Sequence, residues 1–383
     1  MSIVNRSGFT RTGTILSYQP FNTSKTRSFA SQRNPVAEPM ETIKDTIAEN
    51  IGGLGHKFAS DNKQFDIEKD VPDQTGKVAL VTGGSEGIGY AASFMLLKNN
   101  LEKLFILSLS QEVFNGALKD ITERLGAPYA QKVKWIGVDM SDLPNVAKAA
   151  KEISSSTDRL DILILNAARG IMTYQLHEDT NIDRHFMVNH VGHVTLTSHL
   201  LPLLKKTSEK STVRIQLQSS NAHEMAPKDT KWASIDELNQ DLGPNGQYGR
   251  SKLAELLYAR YLAKHLTASH PNILANATHP GFVETKMSVQ DIHEPYPILG
   301  YGMSSAMSPF KKDQWEGSTS TLYAATKTEK SGEYICPPAI VEPGSELSRD
   351  PELGEQLMKL TREIVATKYK SQSVDKGCPL KDY

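Results

Sequence analysis

Residues 77–89 read Lys-Val-Ala-Leu-Val-Thr-Gly-Gly-Ser-Glu-Gly-Ile-Gly. The Val- and Leu-rich start, set between Gly76 and Gly83, predicts a short strand buried on both faces. A glycine-rich turn follows, and helical spacing runs from Ile88 to Lys98. In that order, Gly83 permits a tight turn, Gly87 lets the main chain approach a pyrophosphate, and Gly89 lets the helix pack close to the strand. The helix N-terminus adds N–H donors and the positive end of a dipole. The spacing is TGxxxGxG, not GxGxxG, and an ordinary glycine turn would look the same in isolation. Its place after a first strand and before a helix favours a dinucleotide site at Gly83, Ser85, Gly87, Ile88 and Gly89.

Outward from this stretch, apolar runs at 104–109, 133–138, 162–165, 213–217 and 273–278 predict five further strands. Helical spacing separates them. Val113, Phe114, Ala117, Leu118, Ile121 and Leu125 define a helix over 111–125 that Gly126 closes. Asp142-Leu143-Pro144 starts another, with Asp as cap and Pro early. Long helices are predicted at 183–205 and 248–266. Strict alternation of this kind implies an α/β fold: a single doubly wound parallel sheet with helices on both faces. Ligands of such sheets bind beyond the carboxyl ends of the strands.

The chain of 383 residues has 43 Lys and Arg against 44 Asp and Glu. A net charge of −1 argues against bulk attraction to nucleic acid or anionic membrane. The two cysteines, Cys336 and Cys378, can make neither a disulfide framework nor a four-ligand zinc site, and they fit a reducing compartment. No apolar run approaches the ~18 residues needed to span a bilayer. These features predict a soluble, intracellular protein, cytoplasmic or mitochondrial. Residues 1–37 lack Asp and Glu but hold Arg6, Arg11, Lys25, Arg27, Arg33 and eleven Ser or Thr. That is the composition of a mitochondrial transit peptide, with a disordered tail as the alternative. The expected organisation is an extension over 1–39, a helical linker over 40–75, a domain over 76–370 and a tail over 371–383.

Chemistry is expected at the strand ends. Tyr248-Gly249-Arg250-Ser251-Lys252 places Tyr and Lys about one helical turn apart, on one face. A phenol titrates near ~10, too high for acid–base work at neutral pH, and a nearby cation lowers that value. Ser219-Ser220-Asn221 follows the fifth strand, Asn166-Ala167-Ala168 the fourth, and His279-Pro280-Gly281-Phe282-Val283-Glu284-Thr285 the sixth. Each could be a plain turn or cap, yet together they converge on one crevice.

With these motifs in this order the chain resembles a short-chain dehydrogenase/reductase of the retinol-dehydrogenase-like and WW-domain-oxidoreductase-like branch. The resemblance covers roughly residues 76–335, includes Val138-Asp139-Met140-Ser141-Asp142 and Val188-Asn189-His190-Val191-Gly192-His193, and implies a Rossmann-type domain. It implies that Tyr248 is the general acid–base, that Lys252 lowers its pKa and holds the nicotinamide ribose, and that Ser220 polarises the substrate oxygen. Asn189 would hold a proton-relay water, Asp139 would meet the adenine, and Asn166 would support the central strand. Pro280, Val283 and Thr285 would border the nicotinamide, with Val283 and Thr285 orienting its carboxamide. The family's NNAG stands here as Leu165-Asn166-Ala167-Ala168, so a methyl lies where the cofactor would pass.

Ser108-Leu109-Ser110 closes the second strand without the acidic residue that would favour NAD, so NADP is expected over NAD. A fairly apolar carbonyl or alcohol is the expected substrate, with a pocket from 221–247 and the Met- and aromatic-rich 286–312. A cofactor-binding scaffold without turnover is the alternative, disfavoured by retention of Ser220, Tyr248 and Lys252. TGxxxGxG rather than TGxxGxxG speaks against a nucleotide-sugar epimerase. No metal is expected: His185, His190, His193 and His199 share a helix with no HExxH and no acid among them, and read as a helix face or subunit contact. The helices at 183–205 and 248–266 are where such proteins often pair, which leaves a homodimer open.

Overall fold

The computed structural model describes residues 65–281, 283 and 313–368. The expected extension over 1–39, the pocket segment 286–312, Thr285 and the tail 371–383 lie outside the described residues.

The first half of the domain alternates strictly: β1 (Val78–Thr82), α1 (Gly87–Lys98), β2 (Lys103–Ser108), α2 (Gln111–Leu125), β3 (Val133–Gly137), α3 (Leu143–Ser156) and β4 (Ile162–Leu165). The second half begins with the turns Arg184–Phe186 and Met187–Val191, the latter π-helical, which run into α4 (Gly192–Ser208). Then come β5 (Val213–Gln218), a 3₁₀ turn (Asn221–Met225), α5 (Gly243–Leu262), β6 (Ile273–Thr278), α6 (Thr319–Thr326), β7 (Tyr334–Cys336), β8 (Ile340–Glu342) and α7 (Pro351–Lys368). The spatial order is β3-β2-β1-β4-β5-β6-β7-β8. All pairs are parallel except β7 with β8. The chain moves outward from β1 to β3, then returns to the other side of β1 as β4. That reversal opens a crevice at the carboxyl ends of β1 and β4.

Strand periodicity divides one apolar run between two cores. Val78 and Leu80 of β1 join Phe105, Leu163, Val191 and Leu257 on one face of the sheet. Ala79 and Val81 join Ile106, Phe94, Ile121 and Leu322 on the other. Ser110 Oγ caps α2 through Val113 N–H (3.2 Å), and Asp142 caps α3 through Asn145 N–H (3.2 Å).

Three features depart from the expected pattern. The π turn Met187–Val191 falls inside a helix that periodicity reads as continuous. α5 starts at Gly243, five residues before Tyr248, with Pro244 in its first turn, where a missing N–H costs nothing. β7 and β8 have three residues each, too few for a period to register. In addition, Phe65, Ile67 and Val71 pack on the α1 side, and the Phe65 ring lies 5.5 Å from Tyr323. The packed unit therefore extends upstream of the Asp73-Gln74-Thr75-Gly76 turn.

Candidate active site

The glycine turn closes tightly over the end of β1. Gly83 and Gly87 have φ of +64° and +56°, and Gly83 N–H donates to the Leu107 carbonyl at 2.7 Å. A Cβ on Gly89 would lie 2.2 Å from the Gly83 oxygen, so only glycine lets α1 approach this closely. Glu86 occupies the N-cap of α1 without a side-chain capping hydrogen bond. The helix N-terminus stands at the end of β1 with no side-chain cap, bordered by buried Ser85 and half-buried Ile88. These residues fit a dinucleotide pyrophosphate.

Asn166 and Thr82 tie β4 to β1. Asn166 Nδ2 donates to the Thr82 and Gly83 carbonyls at 3.1 and 3.4 Å. Thr82 Oγ1 accepts the N–H groups of Asn166 (2.8 Å) and Ala167 (3.0 Å). Asp139 stands just past β3, and one of its carboxylate oxygens receives both Ser141 N–H and Ser141 O–H at 2.8 and 2.7 Å. Half-buried Pro280 and buried Val283 follow β6.

Tyr248 and Lys252 lie on α5, which is locked to the end of β5. Lys252 Nζ donates to the Gln218 carbonyl at 2.6 Å, and Ser219 Oγ donates to the Lys252 carbonyl at 2.8 Å. The ammonium is 5.6 Å from the centre of the Tyr248 ring. Burial pushes the Lys252 pKa down to about 8, opposed by the Glu255 carboxylate. Tyr248 and Ser220 are only partly buried, while Ser219 is shut inside. Ser220 Oγ contacts Asn221 Oδ1 at 3.2 Å and accepts Ala222 N–H at 3.1 Å.

Asn189 lies in the π turn and is fully buried. Its Oδ1 accepts Arg169 N–H at 2.7 Å, and its Nδ2 donates to the Arg169 carbonyl and to Ser251 Oγ at 3.0 and 2.8 Å. Its side chain braces the loop after β4 against α5. The Asn189 carbonyl receives His193 Nδ1 at 2.9 Å.

Three of the four clustered histidines are interior to the chain, and His199 is half-buried. His185, His190 and His193 are buried, on Gly170 O, Thr361 Oγ1 and Thr82 Oγ1 respectively, each at 3.0 Å. Burial pushes the pKa of His185 and His190 down to about 3. Among the described residues, no group of three or more His, Cys, Asp or Glu could hold a metal, and no helix is long and apolar enough to cross a membrane. Sequence reasoning missed Thr82, Gln218, His193 and Glu255 as site residues. Thr82 and Gln218 end strands and His193 stands one turn from Asn189, but their partners come from distant chain segments.

The sequence pattern described as short chain dehydrogenase matches residues 77–234. The chain is 49% identical over 386 residues to the oxidoreductase bli-4, mitochondrial, of Neurospora crassa, covering 99% of this chain and 92% of that one. The chain belongs to the short-chain dehydrogenases. This short-chain dehydrogenase is retinol-dehydrogenase-like. Retinol dehydrogenase 14 of Homo sapiens is 29% identical over 269 residues, 67% of this chain and 76% of its own. Polyprenol dehydrogenase of Danio rerio is 30% identical over 317 residues, covering 80% and 92%. L-sorbose reductase of Gluconobacter frateurii, solved with NADPH and L-sorbose, shares the Rossmann fold, with a TM-score of 0.51 and 18% identity over 69% of this chain and 95% of that one. As a short-chain dehydrogenase the protein is an oxidoreductase that uses a nicotinamide cofactor.

Proposed function

We propose that this enzyme interconverts a carbonyl and an alcohol on a fairly apolar small molecule, with Tyr248, Lys252, Ser220 and Asn189 as its working residues. The observation that carries this reading is the buried Lys252 ammonium, held on the Gln218 carbonyl beside the Tyr248 ring. The cation favours the phenolate, so Tyr248 can give a proton to a carbonyl oxygen in reduction and take one from an alcohol in oxidation. Ser220 is the serine left half-exposed, suited to polarise the same oxygen. The bound nicotinamide supplies or accepts the hydride. Gly83, Ser85, Gly87, Ile88 and Gly89 would hold its pyrophosphate, Asp139 the adenine, and Asn166, Pro280, Val283 and Thr285 the nicotinamide side. One of the three Lys252 donors goes to Gln218, leaving donors to suit a ribose. Asn189 would hold a relay water.

NADP is the cofactor we favour over NAD. Ser108 and Ser110 end β2 where a carboxylate would repel a 2′-phosphate. Ser108 Oγ accepts the Trp135 indole N–H at 3.0 Å and Ser110 Oγ accepts Val113 N–H, so both hydroxyl protons can be donated. The substrate pocket would take its apolar lining from 286–312. Residues 1–37 would act as a mitochondrial targeting segment and 40–75 as its link to the domain, in keeping with the mitochondrial Neurospora relative. A homodimer would have to form away from the stretch just after α5, the π turn Ala263–Thr267, which α7 covers, where Glu355 meets Lys264 and His265 at 2.7 and 2.6 Å.

The test is NADPH and NADH oxidation over a panel of aldehydes and ketones. Turnover that Tyr248→Phe abolishes while cofactor binding persists supports the reading. Cofactor binding without turnover across the panel overturns it in favour of a non-catalytic scaffold.

A further inference from the structure

Glu255 lies on α5, three residues beyond Lys252, and is completely buried. Neither of its carboxyl oxygens has a hydrogen-bond partner. An unpartnered buried carboxyl is costly, and an unpartnered buried carboxylate far more so, so its presence calls for a compensating group. Two candidates are at hand. His193 Nδ1 on α4 is 3.6 Å from Glu255 Oε2. Lys252 is buried as well, and side chains three apart share a helix face.

Hydrogen bonding separates the two. The N–H groups of Asn166 and Ala167 both donate to Thr82 Oγ1, which fills the two lone pairs of that hydroxyl. The Thr82 hydroxyl then has the Ile164 carbonyl at 3.4 Å and His193 Nε2 at 3.0 Å within its reach. On the other side of the ring, Nδ1 donates to the Asn189 carbonyl at 2.9 Å. His193 Nδ1 therefore has its hydrogen bond on the Asn189 carbonyl, and Glu255 Oε2 lies beyond that bond at 3.6 Å. Lys252 remains, with its Nζ on the neutral carbonyl of Gln218.

We propose that Glu255 is the buried counter-charge of Lys252, with the adjacent His193 ring fixing the place of its carboxylate. Glu255 acts through Lys252 and is a positioning residue. The pair removes two isolated buried charges at once, since the ammonium and the carboxylate are both cut off from water. Burial alone lowers the Lys252 pKa, and Glu255 is the charged group that opposes it. The ionisable groups facing the pair are His193 from α4 and Tyr248 from α5 itself; β5 presents the Gln218 carbonyl, which does not titrate. The consequence for Tyr248 rests on the oxidoreductase reading above, whereas the charge pair does not.

The test starts with full-length, cofactor-free protein and isotope-edited NMR of its lysine side chains, with Lys252 assigned by the signal lost in Lys252→Met. In Glu255→Gln the Lys252 titration midpoint should fall by about one pH unit or more, a tenfold loss of ammonium above it. The rising, acid-side limb of alcohol oxidation should move to higher pH in the same variant, because Tyr248 loses its cation and its phenol becomes harder to ionise. An unmoved Lys252 midpoint overturns the proposal. Urea unfolding gives a second measurement should Glu255→Gln alone fold poorly. Lys252→Met strands the carboxylate, so adding Glu255→Gln to it should raise the unfolding midpoint, and additive losses overturn the pair. A shifted midpoint in an enzyme that turns over nothing would leave the counter-charge standing and the carbonyl–alcohol reading refuted.

Discussion

Lys252 Nζ reaches across to the main-chain oxygen of Gln218 at 2.6 Å, one residue before the serine pair that ends β5. The contact fixes the ammonium relative to the strand end that carries Ser220, and it runs between residues 34 apart in the chain. Both Lys252→Met and Lys252→Arg should therefore fail. Met removes the charge, and the planar guanidinium cannot copy a compact ammonium in a closed site. Steady-state kinetics should show kcat lower by on the order of 10²-fold or more in each, and a variant within threefold of wild type would refute the assignment.

Adjacent serines should separate cleanly. Ser219 Oγ donates to the Lys252 carbonyl inside the protein, so Ser219→Ala should cost about 1 kcal/mol in urea unfolding and change kcat little. Ser220→Ala should lower kcat by about 10²-fold, as expected when a donor to the reacting oxygen is lost. It should also cost some stability, because Ser220 caps the turn Asn221–Met225. The reverse pattern would assign the chemistry to Ser219.

Acid should destabilise the fold through its buried imidazoles. His185 and His190 titrate near 3 in the folded protein, with burial as the main cause, against 6.5 when exposed. The unfolded chain binds their protons first, so the stability they confer is complete above about pH 6.5 and is lost as pH falls towards 3. Each contributes a slope of at most about 1.4 kcal/mol per pH unit. Asp183 opposes them, since burial raises its pKa from 3.8 to about 6 and the folded state then holds the extra proton. From about pH 6 to 3.8 one carboxyl offsets one of the two imidazoles, so the net slope should be nearer that of one group than of two. Unfolding midpoints across this range should flatten in His190→Gln, whose amide can still donate to Thr361.

Cofactor choice should move with one hydroxyl. Ser110 is the N-cap of α2, a position that Asp fills as well as Ser. Ser110→Asp should keep the fold and place a carboxylate where a 2′-phosphate would sit. The ratio of kcat/KM for NADPH over NADH should drop by tenfold or more. An unchanged ratio would move the selectivity determinant elsewhere.

The strand–turn–helix of residues 77–98 and the sheet that grows from it were readable because their causes are local. Buried parallel strands are short apolar runs, helices repeat every 3.6 residues, and Gly83 and Gly87 take backbone angles that other residues resist. The same locality put Tyr248 above Lys252 and left Ser108-Leu109-Ser110 without an acid. Tertiary structure decided the rest. Asn189 meets Ser251 across 62 residues, Thr82 meets His193 across 111, and His190 meets Thr361 across 171. It also decided which serine turns inward, that His185, His190 and His193 are buried, and that Glu255 is buried. No period or motif encodes such pairings, because a donor and an acceptor far apart in the chain become partners only when packed helices and strands bring them within three ångströms.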